Sequence, residues 1–328
     1  MYLDKEEIKF ALSQFGKTYA TSGNFNNHIG VPQSLLDLDM DSQYAVIEMG
    51  MSSKGEIEKL VSYVKPDMAI VTNVYPMHIE FFENFAGIAH AKAEIFSCLK
   101  KGGYAIINED TNFTDILDDT AKNFGAKVVY FGKSHHPEVS FNPDAFGEHF
   151  LYNGWCALTV VELLGLDVKK AAKALEKFSP LDGRGKIHHL KFSKGEYTLI
   201  DDSYSGQPEA MKFAIETLAN MNTSGRKIAI LGKMAELGNT SQAKHIEIGQ
   251  TVAKANLDVV VGICPEMKDM IAQLPEGIEK YYFENKDGLD DFLLNKLLQN
   301  NDIVLIKGAR YSSKLYQVAE KLLEKGKR

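Results

Sequence analysis

Short apolar, β-rich runs recur along the chain and alternate with longer stretches whose apolar residues return every three or four positions. Continuous runs such as Ala69-Ile70-Val71 and Ile228-Ala229-Ile230-Leu231 suit strands buried on both faces, as in a parallel sheet covered by helices. In the first half the pattern predicts strands at Tyr44–Glu48, Met68–Asn73, Tyr104–Asn108 and Lys127–Phe131. In the second half it predicts Tyr197–Asp201, Lys227–Leu231, Asp258–Gly262, Lys280–Phe283 and Ile303–Lys307. Amphipathic helices are expected at Asp4–Phe15, Glu56–Val64, Ile88–Leu99, Phe113–Asn123, Pro208–Met221, Ala243–Ala255 and Ser312–Lys325, with a longer helical stretch, Phe150–Phe178, broken near Gly165. Such alternation builds β-α-β units and hence three-layer α/β sheets.

The length of 328 residues and the punctuation Ser179-Pro180-Leu181-Asp182-Gly183 predict two domains, 1–180 and 181–328. Ligands of open α/β sheets sit beyond the carboxyl ends of the strands. Those ends carry Glu48-Met49-Gly50, Asn73-Val74-Tyr75-Pro76-Met77-His78, Asp201-Asp202-Ser203-Tyr204, Gly232-Lys233-Met234 and Lys307-Gly308-Ala309-Arg310.

Composition narrows the class. Lys plus Arg number 37 against 44 Asp plus Glu, a net charge of −7 that disfavours a general nucleic-acid binder. No apolar run approaches the roughly 20 residues of a membrane helix, and the first residues lack a secretory pattern. Cys98, Cys156 and Cys264 form no Cys-x-x-Cys pair, which argues against a disulfide scaffold or a cysteine-rich zinc module. A cytoplasmic protein is expected, acting on small molecules and neither on nucleic acid nor in a membrane.

Gly16-Lys17-Thr18 imitates the end of a phosphate-binding loop, but Ala11 stands where that pattern needs glycine, and the preceding segment reads as helix. Gly16 reads instead as a helix C-cap. No G-x-G-x-x-G fingerprint occurs to seat a pyrophosphate, which weakens the reading as a nucleotide-cofactor oxidoreductase with two α/β domains. Glu48 and His78, at neighbouring strand ends, could hold Mg²⁺ or Mn²⁺ between protein and phosphate oxygens, or could be unrelated polar ends. Lys92 and Glu94, on the predicted helix Ile88–Leu99, read by themselves as a solvated helix face. The Asn24–Gly30 segment is a turn rich in amides, stabilised by its own side chains or open to a ligand. Asp201-Asp202 could take ribose hydroxyls or cap the next helix, and Arg184 could meet phosphate or solvent.

Taken in order, Phe15–Pro32, Val46–Ser52, Thr72-Asn73-Val74 with His78–Phe81, Ala91–Ile95, Ile200–Tyr204, Leu231–Gly238 and Lys307–Arg310 resemble the Mur ligase family along the whole chain. The Asn-rich turn and Met234-Ala235-Glu236-Leu237-Gly238 resemble the branch that adds D-Ala-D-Ala. The resemblance implies an ATPase-type parallel-sheet domain followed by a Rossmann-like α/β domain. It implies a monomeric peptide ligase of peptidoglycan synthesis using ATP and Mg²⁺. Its substrates would be a UDP-muramyl tripeptide and D-Ala-D-Ala, joined through an acyl phosphate.

By the same resemblance, Glu48 and His78 are expected to bind Mg²⁺, and Lys92 to do so when carbamylated; these three would be catalytic. Asn73 would line that pocket, and Asn26, Asn27 and His28 would lie near the phosphates and muramyl substrate. Asn153 would approach adenine, Arg184 and Asp201 would contact ATP, and Lys307 and Arg310 would face the substrate side.

The family also carries a UDP-binding domain and a strand–P-loop ahead of Phe15-Gly16, whereas this sequence opens inside the following helix. The expectation is an N-terminally truncated first domain, a sheet strand without its neighbour, and poor ATP use by the chain alone. Ser205-Gly206-Gln207-Pro208 stands for the family's Asn-Ala-Asn-Pro, Phe150 for an Asn, Lys233 for an Asp, and Lys314-Leu315 for Met-Glu. These departures keep open a degenerate family member that binds nucleotide or a partner without ligating.

Overall fold

The computed structural model describes residues 2–75 (2–4 as backbone only), 81–135, 141, 145–235 and 237–326. Two compact units emerge: Met1–Pro143 with Glu148–Phe178, and Asp144–Gly147 with Ser179–Arg328.

The first unit runs α1 (Tyr2–Leu12), β1 (Thr18–Ala20), α2 (Gly30–Leu36), β2 (Tyr44–Val46), α3 (Glu56–Val64), β3 (Met68–Val71), α4 (Phe85–Ala93), β4 (Tyr104–Asn108), α5 (Thr114–Asn123), β5 (Lys127–Phe131), α6 (His149–Leu163) and α7 (Val168–Leu175). β1 pairs with β2 in parallel, and β3-β4-β5 form a second parallel ladder. Among the described residues these two sheets share no paired strand. They nevertheless share a core: Tyr44 and Val46 of β2 and Met68 and Ile70 of β3 join one cluster with Ile8, Leu12 and Leu158.

The pleat sorts the layers. Ile106 of β4 enters that cluster of α1, α6 and α7, whereas Ala105 and Ile107 pack on the opposite side with Ile88 of α4 and Leu117 of α5. Asn84 starts α4 by accepting the Gly87 N–H at 3.0 Å, three residues ahead of the predicted start. Gly16 follows α1 but does not adopt the left-handed cap conformation. A Cβ there would lie 1.6 Å from the Gln43 side-chain oxygen, so glycine leaves room for the end of that glutamine.

The second unit runs β6 (Lys186–Phe192), β7 (Gly195–Asp202), α8 (Pro208–Asn220), β8 (Lys227–Gly232), α9 (Ser241–Lys254), β9 (Val259–Ile263), α10 (Met267–Ile271), β10 (Glu279–Phe283), α11 (Leu289–Phe292), β11 (Asp302–Lys307), α12 (Arg310–Ser313) and α13 (Tyr316–Gly326). The sheet order is β10-β9-β8-β11-β7-β6, parallel except for β6, which pairs antiparallel with β7. β6 escaped the sequence reading because Lys186-Ile187-His188-His189 makes a mostly polar edge strand.

Ala229, Leu231 and Leu305 face α8–α10, while Ile228, Ile230 and Ile306 face α11 and α13. The helix predicted over Ser312–Lys325 is broken where Lys314 takes a left-handed conformation (φ 52°). Among the described residues no helix is long and apolar enough to cross a membrane.

Asp290 ties α11 to α13 by accepting from Lys321 at 3.0 Å and Lys325 at 2.8 Å. Burial pulls its carboxyl upward, but the two ammonium groups outweigh this and hold it below the ordinary carboxylate value. A depressed folded pKa contributes stability above the unfolded value, and that contribution is lost as pH falls through the folded one. Thermal melts of Asp290→Asn and wild type should therefore differ at neutral pH and converge below about pH 4; a gap independent of pH would contradict the assignment.

Candidate active site

In the first unit the chemistry gathers where β1 and β2 end. Thr21, 1% exposed, donates its N–H to Val46 O at 3.0 Å, and its hydroxyl accepts the Glu48 N–H at 3.0 Å. This fixes the Glu48 backbone. Its carboxylate accepts from Asn26 Nδ2 at 2.8 Å through Oε1 and meets Lys5 Nζ at 3.2 Å through Oε2. Lys5 also donates to Gly23 O at 2.5 Å. The pair is interior, the two side chains being 3% and 7% exposed.

A Cβ on Gly50 would sit 3.0 Å from the Asn26 side chain, and the Gly50 N–H donates to Asn26 O at 2.8 Å. Glycine here lets the Asn-rich turn close over the strand end. Asn27 turns away to serve its own backbone, accepting the N–H groups of Ile29 and Gly30 at 3.0 and 2.9 Å as α2 begins. His28 is exposed.

Asn73, beyond β3, accepts from Val74 N–H and Thr111 hydroxyl at 2.8 and 2.9 Å and donates to Tyr75 Oη at 2.9 Å. Lys92 is half-buried in the last turn of α4 and engaged within the protein. Glu94 is no solvated residue: its carboxylate accepts the Gly55 N–H at 2.8 Å and the Glu58 N–H at 3.3 Å at the start of α3. Asn153 is buried on α6. His78 lies outside the described residues.

Among the described residues no three His, Cys, Asp or Glu side chains gather as a metal site. Glu48 is a donor of the kind Mg²⁺ takes, one or two protein carboxylates with water and phosphate oxygens completing the shell, and here both its oxygens are engaged by Asn26 and Lys5.

In the second unit, a cavity of about 710 Å³ opens beyond β7, β8 and β11, where the helices leave to opposite faces of the sheet. Tyr204, Gln207, Lys233, Ser241 and Arg310 are among its lining. Gly206 belongs here of necessity, since a Cβ would lie 2.4 Å from Ala309 N. The Arg184 guanidinium stacks 3.7 Å from the Tyr204 ring centre, and that of Arg310 stands 5.5 Å from Tyr204 and 4.3 Å from Tyr316. Two cationic groups thus converge on one ring at the cavity edge. Lys233 Nζ meets Glu266 Oε1 at 2.6 Å, and its carbonyl accepts the Ala309 N–H at 3.1 Å.

Two expected groups face inward. Asp201, 4% exposed, accepts the Gly183 N–H at 2.9 Å through one oxygen and the Ser203 hydroxyl at 2.6 Å through the other, so it caps no helix. Burial raises its pKa, and the bonds from Ser203 and Gly183 oppose that rise. Lys307, 2% exposed, is 2.6 Å from Asp202 and is not part of the cavity wall. Its expected position facing substrate gives way to an internal ion pair, because β11 is a central strand buried on both faces.

Lys5 and His245 are the neighbours that reasoning from strand ends passed over; Tyr204 was among the strand-end residues but was given no role. Tyr204 had a sequence signal, sitting directly after Asp201-Asp202-Ser203, whereas a lysine within a helical pattern has none.

Residues 5–161 match the Mur ligase middle domain, and residues 183–310 the Mur ligase glutamate ligase domain. The chain therefore belongs to the Mur ligase family. Within that family its relatives are UDP-N-acetylmuramoyl-tripeptide–D-alanyl-D-alanine ligases, known as MurF. That of Rickettsia prowazekii is 32% identical over 93% of this chain and 72% of its own length; that of Escherichia coli is 32% identical over 98% and 74%. A crystal structure of MurF from Acinetobacter baumannii superposes with a TM-score of 0.82 at 26% identity, covering 98% of this chain and 74% of the other. MurF from Thermotoga maritima, in complex with ADP, shares the fold with a TM-score of 0.80 at 23% identity, covering 99% and 77%.

Proposed function

We propose that this protein is an ATP-dependent amide ligase of peptidoglycan precursor synthesis, joining D-Ala-D-Ala to a UDP-N-acetylmuramoyl-tripeptide. What carries the reading is the continuity of the relationship: relatives of that activity align over 93–98% of the chain, through both units. ATP gives its γ-phosphoryl group to the tripeptide carboxylate, forming an acyl phosphate and ADP. The dipeptide amine then attacks the acyl carbon, loses a proton and expels phosphate. The substrates are small molecules, and the protein works as a cytoplasmic monomer, without nucleic acid or membrane.

The task for the protein is to collect anions and hold them in reach of one another. Glu48, with His78 and a carbamylated Lys92, would hold Mg²⁺, which neutralises phosphate charge when bound. Asn26 orients the Glu48 carboxylate from one side, and Lys5 neutralises it from the other through Oε2, the oxygen that would be offered to a divalent ion. Asn27 and His28 shape the turn beside it, while Asn73 and Asn153 complete the phosphate and adenine surroundings. In the second unit Arg184 offers a cation to nucleotide phosphate, and Asp201 braces the loop that carries it. The cavity receives the dipeptide, whose carboxylate meets Arg310. Lys307 supports the strand end from inside through Asp202.

The test is incubation with ATP, Mg²⁺, the UDP-linked tripeptide and D-Ala-D-Ala, following ADP release and the pentapeptide by mass spectrometry. Dipeptide-dependent ADP formation with matching product is expected. The Lys5–Glu48 pair favours one second reading, a family member that binds nucleotide without ligating. Nucleotide binding with no pentapeptide would select it.

A further inference from the structure

We infer that His245 is a positioning residue whose neutral imidazole holds one wall of the second unit's cavity in place. His245 lies on α9 with 0% exposure. Its Nε2 is 3.1 Å from the Met234 backbone nitrogen, an N–H donor, so that ring nitrogen presents its lone pair. The proton must then sit on Nδ1, which faces the Ser241 carbonyl at 2.7 Å. One buried ring thereby ties the loop leaving β8 to the first turn of α9.

The tie matters because of what it spans. Lys233, Met234, Leu237 and Ser241 all line the cavity, so the described residues between the two anchors form that wall. The Met234 side chain, 2% exposed, is already fixed in the core, and the Lys233 carbonyl is fixed by the Ala309 N–H. What His245 adds is direction: it takes up the Met234 N–H, a buried donor with no ladder partner, and so sets where the loop leaves the strand. The identity of the cavity's ligand, D-Ala-D-Ala, rests on the ligase reading; the clasp does not.

Two substitutions separate the ring's two bonds. Asparagine reaches the Nδ1 position and can keep the Ser241 contact, but offers nothing to Met234. Glutamine reaches the Nε2 position and can still accept from Met234. In the full chain, His245→Asn should speed hydrogen exchange in peptides covering residues 233–241 and raise the KM for D-Ala-D-Ala about tenfold, the weight of one hydrogen bond to a positioned group. The KM for ATP should stay within about twofold. His245→Gln should keep wild-type exchange and KM. Wild-type exchange in His245→Asn would overturn the proposal, as would a folded His245→Gln as impaired as His245→Asn. Should His245→Asn not fold, protection and KM in His245→Gln decide alone. If the wild type ligates nothing, the exchange comparison still settles the clasp, and only the ligase reading falls.

Discussion

Lys5→Met is expected to lower the folding free energy by roughly 3–5 kcal/mol, the usual cost of removing one partner from a buried ion pair. Glu48 would keep its charge in the interior without the Lys5 ammonium, held among the described residues by Asn26 Nδ2, and Gly23 O would lose its Lys5 donor. Methionine fills much of the space of the lysine stem, so the loss reports on charge more than on volume. The pair itself need contribute little. A neutral double variant, Lys5→Met with Glu48→Gln, should recover most of the stability, because glutamine can still accept from Asn26 and the Glu48 charge leaves together with its Lys5 partner. Urea denaturation of the four proteins in this cycle measures both terms. Equal stability of Lys5→Met and wild type would mean that solvent reaches the pair.

Arg310→Ala should lower kcat/KM for D-Ala-D-Ala by about 10- to 100-fold, matching the loss of charge-assisted hydrogen bonds worth roughly 1.5–3 kcal/mol. Arg310→Lys should rescue little of this. The guanidinium is a flat group held between Tyr204 and Tyr316, and an ammonium neither stacks in the same way nor offers a two-pronged donor to a carboxylate. Thermal stability should fall only slightly, since Arg310 is not part of the core and each ring contact of this kind contributes about 0.5–1 kcal/mol. A lysine variant with wild-type kinetics would reduce Arg310 to a simple positive charge.

Both expectations depend on partners that no local pattern reveals. Lys5 sits within an amphipathic stretch and Glu48 at a strand end, 43 positions apart (48 − 5). Only the docking of α1 beside β1 and β2 brings them together. Asp201 was legible as a strand-end acid, yet whether its oxygens meet a ribose, a helix start or a loop depends on where Gly183 comes to lie. Glu94 read as a surface residue because helical periodicity gives its face but not the α3 start that covers it. The strand β6 stayed hidden because an edge strand has one solvated side and so lacks the apolar run that announces a central one.

Periodicity alone determined that this chain makes parallel α/β sheets, since apolar strand runs separated by amphipathic helices have no other economical way to leave water. The ordered strand-end motifs likewise determined the family. Tertiary structure decided the use of each charge: which acid is neutralised by a buried lysine, which lysine turns inward, and which histidine becomes a clasp. Burial follows from the sequence of apolar and polar residues along a segment, but a buried charge or hydrogen bond needs a particular partner at about 3 Å, and only the packed chain supplies it.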